Sequence, residues 1–249
     1  GAEVTIEGNK YIFKAEKLKG ARIYLDFASV GATINIMLAA VKAEGTTHIS
    51  NAAKEPEIVN IASLLNNMGA KIRGAGTSEI VIEGVEKLGK GVIDVIPDRI
   101  EAGTYTIIGA LLGKDLKISG IIEEHIDALL SKLKEMGVDI KVKNNSLVIN
   151  KPEQFKAINV KTLVFPGFAT DLGQPMSVLL TQADGMSIFE ETIYENRMGH
   201  IKYLQKMGAN IRVNDRTAII VGKTPLKGEE VVATDLRAGA AMVIAGLIA

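Results

Sequence analysis

The hydrophobic and polar positions of this chain repeat. Leu65-Asn66-Asn67-Met68-Gly69-Ala70-Lys71-Ile72 returns as Leu133-Lys134-Glu135-Met136-Gly137-Val138-Asp139-Ile140, and again as Leu204-Gln205-Lys206-Met207-Gly208-Ala209-Asn210-Ile211. Each copy predicts an amphipathic helix that stops at Met-Gly, where glycine can take the left-handed cap conformation, followed by an alternating strand. Self-similarity at a nearly fixed period marks a chain assembled from repeated supersecondary units.

The unit can be read through its first complete copy. Arg22-Ile23-Tyr24-Leu25 reads as a strand, 29–43 as a largely apolar helix and Thr47-His48-Ile49-Ser50 as a second strand. Residues 56–68 follow as a helix with Ile58, Ile61, Ala62 and Leu65 at helical spacing. Lys71-Ile72-Arg73 and Glu79-Ile80-Val81-Ile82 close the unit as two strands, giving the order βαβαββ. A second copy is expected over about 92–149 and a third over about 160–221, with a fourth opening at Val231-Val232 and running into its first helix. Such units imply sheets covered on one face by paired helices, an α/β (α+β) fold. Gly1-Ala2-Glu3-Val4 matches Gly69-Ala70-Lys71-Ile72, and Ala249 lies inside an apolar helix with no cap. The expectation is therefore a chain truncated at both ends.

Composition narrows the chemistry. The 249 residues are 47% hydrophobic and 23% charged, a globular balance with ample core. Lys plus Arg equals Asp plus Glu, so no global basic field favours nucleic acid or an anionic membrane, and an anion site has to be built locally. The absence of cysteine excludes disulfides, thiolate metal sites and a cysteine nucleophile within the chain. His48, His125 and His200 are scattered, which argues against a zinc centre. The longest apolar run, 238–249, is too short to span a bilayer. A soluble, cytoplasmic protein without a metal or cofactor is expected.

Aligning the copies on their first helix puts polar residues near its start every time: Ser29, then Asp98 and Arg99, then Thr170 and Asp171, then Asp235 and Arg237. Ser, Thr and Asp at such places are ordinarily N-caps. Arginines there serve neither cap nor dipole, so Arg99 and Arg237 with Asp171 and Asp235 read either as a structural ion-pair network or as a site. Converging helix starts also suit anionic ligands. The turn Phe27-Ala28-Ser29-Val30-Gly31-Ala32-Thr33 is small enough for backbone amides to approach a phosphate, but it is not a Walker loop.

Five ordered motifs carry a resemblance: Ser29-Val30-Gly31-Ala32-Thr33, Asn51-Ala52-Ala53-Lys54-Glu55-Pro56-Glu57-Ile58-Val59, Pro97-Asp98-Arg99-Ile100-Glu101-Ala102-Gly103-Thr104, Glu195-Asn196-Arg197 and Ala233-Thr234-Asp235-Leu236-Arg237. Over essentially its whole length the chain resembles the UDP-N-acetylglucosamine 1-carboxyvinyltransferases, of the enolpyruvyl transferase family. The resemblance implies an inside-out α/β barrel of βαβαββ units in two domains. Residues 1–96 would be the last part of the first domain and 97–249 most of the second. It implies transfer of enolpyruvate from phosphoenolpyruvate to the 3-hydroxyl of UDP-N-acetylglucosamine, the first committed step of peptidoglycan synthesis, hence a part in cell-wall biogenesis, cell shape and division.

By the same resemblance, Asp171 handles the proton of the acceptor hydroxyl, and Asp235 and Arg237 complete the catalytic set. Ala28, Ser29, Val30 and Gly31 hold the uridine diphosphate, although Phe27 stands where many relatives have lysine. Glu55, Thr170, Ile193 and Tyr194 face the sugar nucleotide, and Asp98 and Arg99 line the cleft between domains. No nucleic acid or membrane partner is implied, and the full-length protein is expected to be monomeric. The family's cysteine loop and several arginines that clamp phosphoenolpyruvate have no counterpart in this chain, so it is expected to be inactive alone. The alternatives are the sister enzyme acting on shikimate 3-phosphate, an RNA-terminal phosphate cyclase, and a non-catalytic βαβαββ binding module.

Overall fold

The computed structural model describes residues 2–249, so Gly1, the first residue of the opening repeat match, lies outside the described residues. The chain divides into two compact units, 1–96 and 97–249.

The first unit opens with a hairpin of β1 (Glu3–Glu7) and β2 (Lys10–Lys14). Then come β3 (Arg22–Tyr24), α1 (Val30–Ala40), β4 (Thr46–Ser50), α2 (Pro56–Asn67), β5 (Lys71–Arg73) and β6 (Glu79–Glu83). This is the order the repeat predicts. The strands form one sheet in the order β3-β4-β6-β5, with β3 parallel to β4 and both other pairings antiparallel. Its inner face is made by Ile49, Ile72, Ile80 and Ile82, packed against Met37 of α1 and Ile58, Ala62 and Leu65 of α2. Alternation puts every second side chain inside, so register and core are set together.

The second unit holds α3 (Arg99–Leu112), β7 (Leu116–Ser119), α4 (Asp127–Glu135), β8 (Asp139–Lys143), β9 (Ser146–Asn150) and β10 (Phe155–Lys156). It continues with β11 (Asn159–Lys161), α5 (Gly173–Leu180), β12 (Ala183–Glu190), α6 (Ile201–Lys206), β13 (Asn210–Asn214), β14 (Thr217–Gly222) and α7 (Leu236–Ile248). The sheet of copy three repeats the pairing of copy one: β11 parallel to β12, then β14, then β13. The first helices α3, α5 and α7 contact one another, and all eight residues of α5 are buried. Helices therefore occupy the inside of this unit, while strands such as β8 and β9 alternate outward and covered positions.

The three Met-Gly signals are realised as the same cap. Gly69, Gly137 and Gly208 have φ of 98°, 94° and 104°. The Ala70, Val138 and Ala209 amides donate to the carbonyls of Leu65, Leu133 and Leu204 at 2.9, 3.0 and 2.9 Å, the six-to-one bond of a Schellman motif.

Two expected strands are not formed. Val92 and Val95 are 88% and 83% exposed, and 92–96 pairs with no strand. Asn67 and Asn60 of α2 donate to the carbonyls of Val92 and Asp94, both at 3.2 Å, and draw the stretch along that helix. Copy two is left with the three-stranded sheet β7-β9-β8. Val231-Val232 is likewise unpaired, and Lys206 of α6 holds the Glu230 carbonyl at 2.9 Å. The helix expected over 29–43 is shorter, with Ser29 as its N-cap.

Leu133 of α4 is fully buried between its helix and the sheet of copy two. Leu133→Ala is expected to destabilise the second unit by about 2–5 kcal/mol, through lost transfer energy and the cavity left behind. Chemical denaturation followed by circular dichroism measures this.

Candidate active site

In the second unit three segments meet: the turn that starts α5, the loop after β12, and the start of α7. Residues 170–172 form one 3-10 turn before α5, and no side chain caps it. The Asp171 carboxylate is consequently free to act elsewhere. Arg197 Nη2 meets its Oδ1 at 2.7 Å, and Arg237 Nη2 meets its Oδ2 at 2.6 Å. The Asp171 side chain is 29% exposed and the two arginine side chains 17% and 27%. Burial raises the proton affinity of Asp171, but the hydrogen bonds and charges of Arg237 and Arg197 outweigh it, and the pKa lies below the ordinary aspartate value. Asp171 is a carboxylate at neutral pH.

Each arginine is itself held. Arg197 Nη1 donates to Thr170 Oγ1 at 2.7 Å, and its guanidinium lies 4.4 Å from the Tyr194 ring centroid. Arg237 sits in the first turn of α7, whose N-cap is Asp235. Asp235 Oδ1 accepts from the Arg237 and Ala238 amides at 2.8 and 2.9 Å. Gln174 of α5 donates from Nε2 to Asp235 Oδ2 at 3.3 Å and to the Arg197 carbonyl at 3.2 Å, tying the two arginine-bearing segments together. Exposed as Asp235 is, its slight burial, which raises the pKa, is outweighed by the Ala238 amide, the Gln174 side chain, the Arg237 amide and the Arg197 charge, so its pKa is lowered.

Asp171, Ile193, Tyr194, Glu195, Asn196, Arg197, Asp235, Leu236 and Arg237 line one open depression of about 740 Å³. That is a volume suited to a substrate of ordinary metabolite size. Six of the sequence candidates are thus brought together: Asp171, Asp235, Arg237 and Ile193 and Tyr194 on its walls, and Thr170 beneath Arg197. Asp98 and Arg99 are engaged elsewhere in the same unit. Asp98 caps α3 by accepting from Ile100 and Glu101, and Arg99 lies 5.7 Å from the Phe165 ring centroid.

The remaining candidates belong to the first unit. Ser29 Oγ accepts from the Ala32 amide at 3.2 Å and so caps α1. Ala28 and Val30 flank it half-buried, and at Gly31 an added Cβ would meet no atom within 4 Å, so the turn is open on that side. Glu55, just before α2, is 7% exposed, and its Oε2 has no hydrogen-bond partner.

Arg197 stood in a quoted motif but not among the sequence candidates, and Gln174 and Glu191 were not singled out at all. A glutamine inside a buried helix gives no signal except its position one turn after Asp171. Among the described residues no cluster of three or more His, Cys, Asp or Glu is placed to hold a metal, and no helix is long and apolar enough to cross a membrane.

Comparison with known proteins identifies the family. Residues 1–249 match the model of the EPSP synthase (3-phosphoshikimate 1-carboxyvinyltransferase) family, and the chain belongs to that family. It is 55% identical over 250 residues to UDP-N-acetylglucosamine 1-carboxyvinyltransferase 2 of Bacillus subtilis, and 53% identical over 249 residues to the protein of that name in Geobacillus kaustophilus. Both matches cover 100% of this chain and 58% of the relative, so the chain spans under two thirds of the length of these curated relatives. The crystal structure of the enolpyruvyl transferase NikO from Streptomyces tendae superposes with a TM-score of 0.92 at 25% identity, over 100% of this chain and 62% of that one. An EPSP synthase of Acinetobacter baumannii shares the fold, with a TM-score of 0.72 at 21% identity over 100% of this chain and 62% of that one.

Beneath the site, Ser177 donates to the Gln174 carbonyl at 2.6 Å and faces His200 Nε2 at 2.8 Å. The other ring nitrogen, Nδ1, is buried as well. Burial lowers the His200 pKa from 6.5 to about 4, against the opposing pulls of the Asp235 charge and of the Arg197 backbone. The unfolded chain therefore binds this proton more readily than the folded one. The contribution of His200 to stability is complete above pH 6.5 and is lost as pH falls towards 4. The loss amounts to about 3 kcal/mol. Urea unfolding across that window is expected to show this slope, and His200→Gln to flatten it.

Proposed function

We propose that this chain carries the acceptor-proton site of an enzyme that transfers enolpyruvate from phosphoenolpyruvate to the 3-hydroxyl of UDP-N-acetylglucosamine. The observation that carries the reading is Asp171, ionised and bridged by Arg197 and Arg237 beside an open depression. The names of the 55% and 53% identical relatives support the same acceptor.

In this reaction the hydroxyl oxygen bonds to C2 of phosphoenolpyruvate while a proton is added to C3. Phosphate then leaves as a C3 proton is lost, which restores the double bond. Asp171 takes the hydroxyl proton. Held by two cations it is a weak base, so an anionic donor that engages Arg197 and Arg237 raises its proton affinity by loosening their grip. The same guanidiniums then face the charge that develops on the departing phosphate. Thr170, Ile193 and Tyr194 shape the sugar side. Ala28, Ser29, Val30 and Gly31 offer an open turn to the diphosphate, with Glu55 near the acceptor sugar and Asp98, Arg99 and Asp235 in supporting roles. The enzyme acts as a soluble cytoplasmic monomer in peptidoglycan synthesis.

The test is a phosphate-release assay on a full-length version that carries this chain, with UDP-N-acetylglucosamine or shikimate 3-phosphate as acceptor. Turnover is expected with the nucleotide sugar alone. Asp171→Asn is expected to lower kcat by about 10²–10⁴-fold while calorimetry still detects binding of the nucleotide sugar. Turnover only with shikimate 3-phosphate would move the chain to the sister reaction. Binding without turnover in the wild type would leave a binding module.

A further inference from the structure

We infer that Glu191 is a positioning residue for Arg197: acting through Thr170, it fixes the direction of the hydrogen bond that holds the guanidinium against Asp171. The inference deepens the transfer reading above and rests on it for its kinetic consequence only.

Glu191 follows β12 directly and is 2% exposed. Its Oε1 accepts from the Thr162 hydroxyl at 2.9 Å and from the Ile193 and Tyr194 amides at 2.8 and 3.1 Å. Its Oε2 accepts from the Thr170 hydroxyl at 2.8 Å. Four donors thus converge on it, and it serves purely as an acceptor. Buried side chains that gather this many partners fix a single geometry.

The consequence lies at Thr170. Its one hydroxyl proton points at Glu191, so Oγ1 presents only lone pairs on its other side, where Arg197 Nη1 stands at 2.7 Å. A hydroxyl with the opposite orientation would aim its proton at the guanidinium and repel it. Arg197 Nη2 then reaches Asp171 Oδ1 at 2.7 Å. Glu191 does not itself line the depression. It sets Arg197, which does, through an intermediary, and through the Ile193 and Tyr194 amides it also anchors the loop that carries the guanidinium.

Glu191→Gln separates these two duties. The glutamine oxygen can still serve the Thr162 hydroxyl and the two loop amides. Its NH2 then faces Thr170 Oγ1 and competes with Arg197 for the same lone pairs. The loop is kept and the polarity is reversed.

The primary readout needs no activity: ¹⁵N NMR of arginine side chains in this chain, with the Arg197 signal assigned by its loss in Arg197→Lys. A guanidinium clamped by charge-assisted hydrogen bonds rotates slowly about Nε–Cζ. In Glu191→Gln that rotation is expected to be at least about tenfold faster for Arg197, with Arg73, paired to the exposed Glu83, unchanged. Unaltered Arg197 rotation in a folded Glu191→Gln chain would overturn the inference. If that variant does not fold, Thr170→Val and Thr170→Ser decide it: the clamp must be lost in the first and kept in the second, and a clamp that survives Thr170→Val overturns the inference. In the full-length version, kcat/KM is expected to fall by at least about tenfold in Glu191→Gln, and by no more in the double variant with Thr170→Val than in Thr170→Val alone. Fully additive losses would mean that Glu191 only holds the loop, and would overturn the inference. A wild type without turnover would instead sink the transfer reading, and the NMR result would still decide the role of Glu191.

Discussion

The second unit is organised around one carboxylate shared by two guanidiniums. Asp171 meets Arg197 at 2.7 Å and Arg237 at 2.6 Å, and the three side chains come from three separate segments of the chain. A partly buried carboxylate left alone would cost several kcal/mol of desolvation or take up a proton. Two cations in the same place would repel each other as strongly. Neither arrangement persists without the other, so the loop after β12 and the start of α7 are held at the start of α5 by the same electrostatic condition. The guanidiniums face the depression beside the carboxylates of Glu195 and Asp235, and an anionic ligand can replace Asp171 as the partner of either arginine.

Much of this was legible in the sequence because the repeats expose it. The Met-Gly pattern fixed three helix ends, and all three adopt the same Schellman cap. The sheet order of copies one and three follows from the shared βαβαββ order. Aligning first helices picked out Asp171, Asp235 and Arg237, which the structure brings within hydrogen-bond reach of one network. What stayed hidden has physical reasons. The stretches 92–96 and 231–232 have strand-like sequences, but side chains of α2 and α6 bond the backbone of 92–94 and of Glu230. A one-dimensional pattern cannot say which neighbour takes a backbone carbonyl. Glu191 and Gln174 were missed because their importance lies in where β12 and α5 deliver them, and their immediate neighbours in the chain give no hint of it.

Why copy three carries the carboxylate that pairs with both arginines, when copies two and four also begin a helix with aspartate, follows from the helix starts themselves. Asp98 and Asp235 are true N-caps, each accepting two first-turn amides, and a carboxylate used in this way is turned back on its own helix. Before α5 the chain takes a 3-10 turn at 170–172, and the Leu172 amide bonds the Ala169 carbonyl instead of a side chain. No capping demand falls on Asp171, and its oxygens are left for the arginines. Tightening one turn therefore converts a capping position of the repeat into an ion-pairing one. Copy four supplies the partner: Asp235, by capping α7, places Arg237 in the first turn of that helix, where it reaches the carboxylate that copy three has freed.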